Sequence, residues 1–141
     1  EYASLIEAPW VVLRKGTYYL FYSGDRCCGR KPHYAVMVAR SDKALGPYER
    51  LSDPQRNGSH AILGGHDTWI APGHCSVISD DGGDEWILYH AARSSEAGNP
   101  TRARLMLLDR IDYRDGWPRV EGDQPSAATR ESPQIAHNAA R

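Results

Sequence analysis

Residues 5–24 read LIEAPWVVLRKGTYYLFYSG. Two runs of branched and aromatic apolar residues flank Lys15 and Gly16, and a short polar turn between such runs predicts a β-hairpin. The expected strands are 8–14 (APWVVLR) and 17–23 (TYYLFYS). One residue resists this reading. Glu7 places a carboxyl at the threshold of a segment that otherwise belongs in a core.

Working outward, the same organisation continues, with Gly, Asp and Pro clusters between apolar runs and no long helical periodicity. Strands are expected at 34–41 (YAVMVARS) and 47–51 (PYERL), then in a second series at 74–79 (HCSVIS), 85–91 (EWILYHA), 103–111 (ARLMLLDRI) and 118–121 (PRVE). DDGGD at 80–84 is a second hairpin signal. The two series resemble each other: YYLFYS at 18–23 matches EWILYH at 85–90, an offset of 67, and VARSDKALGPY at 38–48 matches LDRIDYRDGWP at 108–118, an offset of 70. Each unit reads as four antiparallel strands, and a repeated four-strand unit predicts all-β propeller blades. Two meanders of a β-sandwich are the alternative. The expected boundaries are a blade over 1–58, a second blade over 59–125, and a C-terminal segment over 126–141 that is loose or packs on the outside. Two blades leave apolar flanks and sheet edges open, so the chain is expected to close as a homo-oligomer or to continue a larger propeller.

Composition narrows the classes. A chain of 141 residues with 40% apolar and 25% charged residues suits a globular domain with a real core. With 17 basic against 18 acidic residues and no run of either sign, nothing supports a nucleic-acid footprint or a basic membrane surface. No apolar run approaches the length of a membrane-crossing helix. Residue 1 is Glu and no signal-peptide pattern is present, which leaves export undecided. Three cysteines, Cys27, Cys28 and Cys75, form no C-x-x-C pair, so a structural zinc site is not expected. Adjacent Cys27 and Cys28 read as free loop thiols, with a vicinal disulfide as the alternative.

In a propeller the first strand of each blade lines the axis and its opening residues face the mouth. Glu7 opens the first strand of the first unit, and His74, after APG, is expected at the equivalent place in the second. Glu7 reads either as a solvated edge carboxylate or as a general acid. The latter must be protonated before it acts, a state that apolar surroundings favour, and Ile6 and Trp10 flank it.

IEAPW, GTYYLFYS, YAVMVARSDKALGPYE, APGHCSV, WILYHA and RIDYRDGWP, in that order over about residues 6–126, resemble glycoside hydrolase family 43. The resemblance is to the C-terminal two blades of that family's five-bladed propeller. It implies hydrolysis of arabinofuranosyl or xylosyl linkages in plant polysaccharides with inversion. It also implies that Glu7, in the E-[AG]-P motif, is the general acid. The family's general base and a further Asp that tunes the acid have no counterpart here, so the chain alone is expected to be an incomplete site. Asp25, Asp67 and Asp109 are the substitutes available. The alternative is a non-catalytic carbohydrate-binding or interaction protein derived from such a hydrolase.

No cofactor is required on this reading. His74 matches a position that in some members holds calcium or another ion, although a lone histidine is a weak ligand set for a hard cation, and a hydrogen-bonded structural role is the alternative. Trp10 and Trp69 are candidate sugar platforms, and Arg104 either pairs with a carboxylate at the axis or caps the sheet. Trp86 and Trp117 are expected in the core between blades. His60, His66, His90 and His137 show no metal spacing and read as solvated or core residues. The expected ligand is an arabino- or xylo-oligosaccharide.

Overall fold

The computed structural model describes residues 2–53, 58–99 and 101–136. They form two curled antiparallel sheets stacked face to face. The first runs β1 (Ile6–Arg14), β2 (Thr17–Arg26), β3 (His33–Ser41), β4 (Glu49–Arg50), with β5 (Ala61–Leu63) also pairing with β3. The second runs β6 (Trp69–Ser79), β7 (Glu85–Arg93), β8 (Leu105–Arg114), β9 (Trp117–Val120). The fold class expected from the repeat is therefore observed. β5 is an addition: three buried residues, Ala61, Ile62 and Leu63, continue the outer edge of β3 beyond β4. The first sheet thus reaches past the expected boundary at 58, and the connection between sheets is the stretch after Leu63.

The two-residue turn does what its sequence asks. Lys15 and Gly16 both take positive φ, 49° and 84°, the geometry whose twist matches flanking strands, and Asp115 and Gly116 repeat it at 53° and 74° between β8 and β9. From the first turn Arg14 pairs with Thr17, Val12 with Tyr19 and Trp10 with Phe21. Before Trp10 the register slips by one residue, so Glu7 faces Ser23 rather than Gly24. The slip is a bulge at Ala8, held at φ 53° ahead of Pro9. A one-residue slip turns side chains to the opposite face of a strand. It carries Glu7 from the side of Val11 and Leu13, exposed at 51% and 59%, to the side of Val12 and Arg14. Those two face the second sheet: Val12 packs on the shared core, and Arg14 pairs with Glu85 at 3.2 Å over the Tyr113 ring.

The core between the sheets joins Tyr19, Phe21, Val36, Val38, Leu51, Ile62 and Leu63 to Trp69, Cys75, Val77, Ile87, Tyr89, Ile111, Trp117 and Val120. Burial on this scale, at about 25 cal/mol per Å² of apolar surface, is the main force holding the sheets together. A smaller cluster, Tyr22, Ala35, Met37, Ala39 and Ala61, lies on the other face of the first sheet. Trp117 takes its expected place between the sheets. Trp86 is buried elsewhere, with its indole N–H on Asp80 Oδ2 at 3.0 Å.

Two expectations about the periphery are settled by contacts. Cys27 and Cys28 form a disulfide with each other, which corrects the free-thiol reading. Residues 126–136 form no strand and pack on the second sheet: Ser126 N–H donates to Asp109, Gln134 N–H to Asp80 Oδ2 at 2.9 Å, and Ala136 N–H to Asp81. His137 and the other residues after 136 lie outside the described residues.

Candidate active site

The bulge brings Glu7 into a cluster at one end of the edge strands β1 and β6. Glu7 is half-buried, and the Tyr34 hydroxyl donates to its Oε1 at 2.5 Å. Tyr34 is only 2% exposed, on the same face of β3 as Val36 and Val38. Ser23, opposite Glu7 across β1 and β2, is fully buried, and its Oγ accepts the His74 N–H at 2.9 Å. Burial first, then the carboxylate of Glu7, holds the Tyr34 phenol far above its ordinary value.

His90 completes the cluster. Its ring stacks on Tyr34 at 6.0 Å between centroids and lies 6.3 Å from that of His74. Arg104 Nη1 sits 3.4 Å from His90 Nε2. A guanidinium only donates, so Nε2 is the acceptor and the imidazole proton lies on Nδ1, which is buried and has no hydrogen-bond partner. Burial, then the positive charges of Arg104 and His74, lowers the His90 pKa to about 4. The ring is therefore neutral at ordinary pH.

The second sheet repeats the device with a difference. Gly73 pairs with His90, which the repeat aligns with Ser23, so Gly73 stands where Glu7 stands and His74 aligns with Ala8. His74 and Ala8 share a left-handed backbone, at φ 55° and 53°. His74 is thus one residue away from its expected equivalence. Its side chain is exposed beside His90.

The other sequence candidates fall on both sides of this cluster. Arg104 is exposed and adjoins it through His90. Trp10 is 41% exposed at the first bulge, open to a ligand. Trp69 is not: at 7% exposure it belongs to the core between the sheets, with its indole N–H on Ser126 O at 3.1 Å and Arg93 over its ring. That corrects its reading as a rim platform. Among the substitute carboxylates, Asp25 accepts bonds from Ser4 and His33, which hold its pKa at about 2. Asp109 is buried beneath the Tyr89 hydroxyl and the Ser126 N–H. Asp67 is exposed beside His66. None of the three hydrogen-bonds within the cluster. The donors here also do not suit a hard cation, since two imidazoles and a guanidinium surround one carboxyl. Among the described residues no group of three His, Cys, Asp or Glu could hold a metal ion.

Sequence reasoning missed Ser23, Tyr34, Gly73 and His90 as parts of the site. The signal was available in A-P at 8–9 and 71–72: the residue ahead of each proline has positive φ at a bulge, and each bulge changes which side chains share a face.

Comparison with known proteins identifies the family. The family model for glycosyl hydrolases family 43 matches residues 2–118. The extracellular exo-alpha-(1->5)-L-arabinofuranosidase ArbA of Cellvibrio japonicus is 31% identical over 119 residues, 82% of this chain and 33% of that protein. The extracellular endo-alpha-(1->5)-L-arabinanase 1 of Bacillus subtilis is 29% identical over 116 residues, 80% of this chain and 33% of that protein. Among solved structures, the alpha-L-arabinanase of Cellvibrio cellulosa complexed with arabinohexaose superposes with a TM-score of 0.67 at 26% identity, over 84% of this chain and 38% of that one. A thermostable family-43 glycoside hydrolase gives a TM-score of 0.74 at 26% identity, over 93% of this chain and 39% of that one. The chain spans about a third of the length of the curated relatives it matches. It belongs to glycosyl hydrolases family 43.

Proposed function

We propose that this chain carries the general-acid half of an inverting arabinan-hydrolase site, with Glu7 as the acid. The observation that carries the reading is the placement of Glu7: a single bulge turns its half-buried carboxyl into a cluster with Tyr34, His90, His74 and Arg104 at the end of both edge strands. The names of the relatives support arabinofuranosyl linkages as the substrate class, with xylosyl linkages second. In the reaction the Glu7 carboxyl gives its proton to the glycosidic oxygen as the C–O bond breaks and its electron pair passes to that oxygen. A nucleophile attacks the anomeric carbon from the opposite face.

Inversion with water needs a second carboxylate about 6.5–9.5 Å from the acid to take the water's proton. Asp25 and Asp109 are committed to other partners and Asp67 lies exposed beside His66, so this base comes from further blades or another copy of the chain. The exposed apolar residues Val11 and Leu13 on one sheet and Met106 on the other supply flanks for such packing. Arg104 and Trp10 serve as sugar contacts. The reading needs no ion at His74.

Azide tests the acid without the base, because it attacks an anomeric carbon with no proton to lose. The chain is expected to cleave linear arabino-oligosaccharides when azide is supplied and to lose this activity on Glu7→Gln. Azide-dependent cleavage that survives Glu7→Gln would overturn the assignment. A second reading, a non-catalytic arabinan-binding protein, is favoured by the engagement of Asp25 and Asp109. It is the result if oligosaccharide binds saturably and azide induces no cleavage.

A further inference from the structure

We propose that Tyr34 is the positioning residue for Glu7, and that the second sheet holds it in place. The inference rests on the general-acid reading for its catalytic meaning and on geometry for the contact. The Tyr34 hydroxyl donates to Glu7 Oε1 at 2.5 Å, and Ser23, opposite Glu7, is tied to the second sheet by the His74 N–H, which donates to its Oγ at 2.9 Å.

Three features make this a held geometry rather than a passing contact. Ser23 is fully buried and Tyr34 is 2% exposed, so water does not compete for either hydroxyl. The Tyr34 ring is clamped between His90 and the bare backbone of Gly73, where an added Cβ would lie 2.0 Å from the ring. The register places Glu7 opposite Ser23 across β1 and β2. Tyr34 is the one hydrogen-bond partner of the Glu7 carboxyl among the described residues. With Oε1 so engaged, Oε2 is the oxygen that delivers the proton.

The acid on the first sheet is therefore oriented through a tyrosine that Gly73 and His90 of the second sheet confine. Packing of the two sheets and orientation of the acid are thus one event.

Two readouts test this. The first is the Tyr34 hydroxyl proton in NMR spectra of the intact chain, identified by its absence in Tyr34→Phe. A short bond to a carboxyl moves it well downfield, and Glu7→Gln is expected to shift it back upfield. The second is the dependence on leaving group, measured with azide as nucleophile. Tyr34→Phe is expected to slow cleavage of arabino-oligosaccharides, whose leaving oxygen needs a proton, by roughly 10- to 100-fold, in line with loss of a hydrogen bond to a charged group. An aryl arabinofuranoside with an activated phenol, which needs no proton, is expected to change little. Equal slowing of both substrates, or a hydroxyl resonance indifferent to Glu7→Gln, would overturn the proposal. If the wild type turns over neither substrate, the glycosidase reading fails, and the resonance alone decides whether Tyr34 holds the Glu7 carboxyl.

Discussion

Gly73→Ala is the most exacting perturbation of this site, because it adds one methyl group and changes no charge. Gly73 does not have positive φ, so alanine is conformationally acceptable and the effect is purely steric. The new Cβ would lie 2.0 Å from Tyr34 Cε1 and 2.3 Å from Cδ1, inside a 3.0 Å limit that real contacts do not cross. The ring must withdraw by 3.0 − 2.0 = 1.0 Å or more. It cannot do so freely, being buried with His90 stacked on it. A retreat of that size also stretches the 2.5 Å bond to Glu7 to the edge of hydrogen bonding. Overpacking of this kind costs about 1–3 kcal/mol, which for a chain of this length lowers the melting temperature by roughly 3–15 °C. The assay is thermal and urea unfolding of Gly73→Ala beside Gly16→Ala, whose Cβ meets only open space. Gly16→Ala measures the cost of positive φ alone. A Gly73→Ala protein as stable as wild type, with the Tyr34 hydroxyl resonance intact, would refute the clamp.

Trp69→Ala is expected to destabilise by about 3–5 kcal/mol in urea unfolding, whereas Trp10→Ala leaves stability nearly unchanged and weakens oligosaccharide binding. Stability is expected to fall with pH in two windows. His90 has a folded pKa of about 4 against an ordinary 6.5, so the unfolded chain takes up the proton first and stability drops between those values. Asp25, held at about 2 against 3.8 by Ser4 and His33, adds a second loss as pH falls through that lower range. His90→Gln should flatten the upper window and leave the lower, read as urea midpoint against pH. Alkylation of the native chain is expected to label Cys27 and Cys28 only after reduction, and to spare Cys75, which is buried and whose thiol pKa is pushed up to about 12 by that burial.

Much of the fold could be read in the chain because its signals are local. Alternation and the Lys15–Gly16 turn located the first hairpin, and the internal repeat extended that reading to two sheets. β5 escaped because three apolar residues, Ala61–Leu63, carry no period of their own and pair only because β4 ends early. The site was harder, since its partners depend on register rather than on spacing. Counting back from the turn sets Glu7 opposite Gly24, on the face of Val11 and Leu13. Only the left-handed Ala8 moves it opposite Ser23 and toward Tyr34. Trp69 misled for the opposite reason: an aromatic at a strand entrance looks like a platform until the Ser126 carbonyl and Arg93 are seen to cover it. Adjacent cysteines could not be assigned a redox state from sequence, because their pairing depends on the path of the loop.

On the proposed reading Glu7 protonates a glycosidic oxygen on the way to an inverted product. This is tested most directly by following anomeric protons in NMR spectra while the chain acts on an α-linked arabino-oligosaccharide with azide. A β-configured arabinofuranosyl azide is expected as the first product, and it is expected to be lost on Glu7→Gln. An α-configured azide, or a β-azide formed equally well by Glu7→Gln, would contradict it.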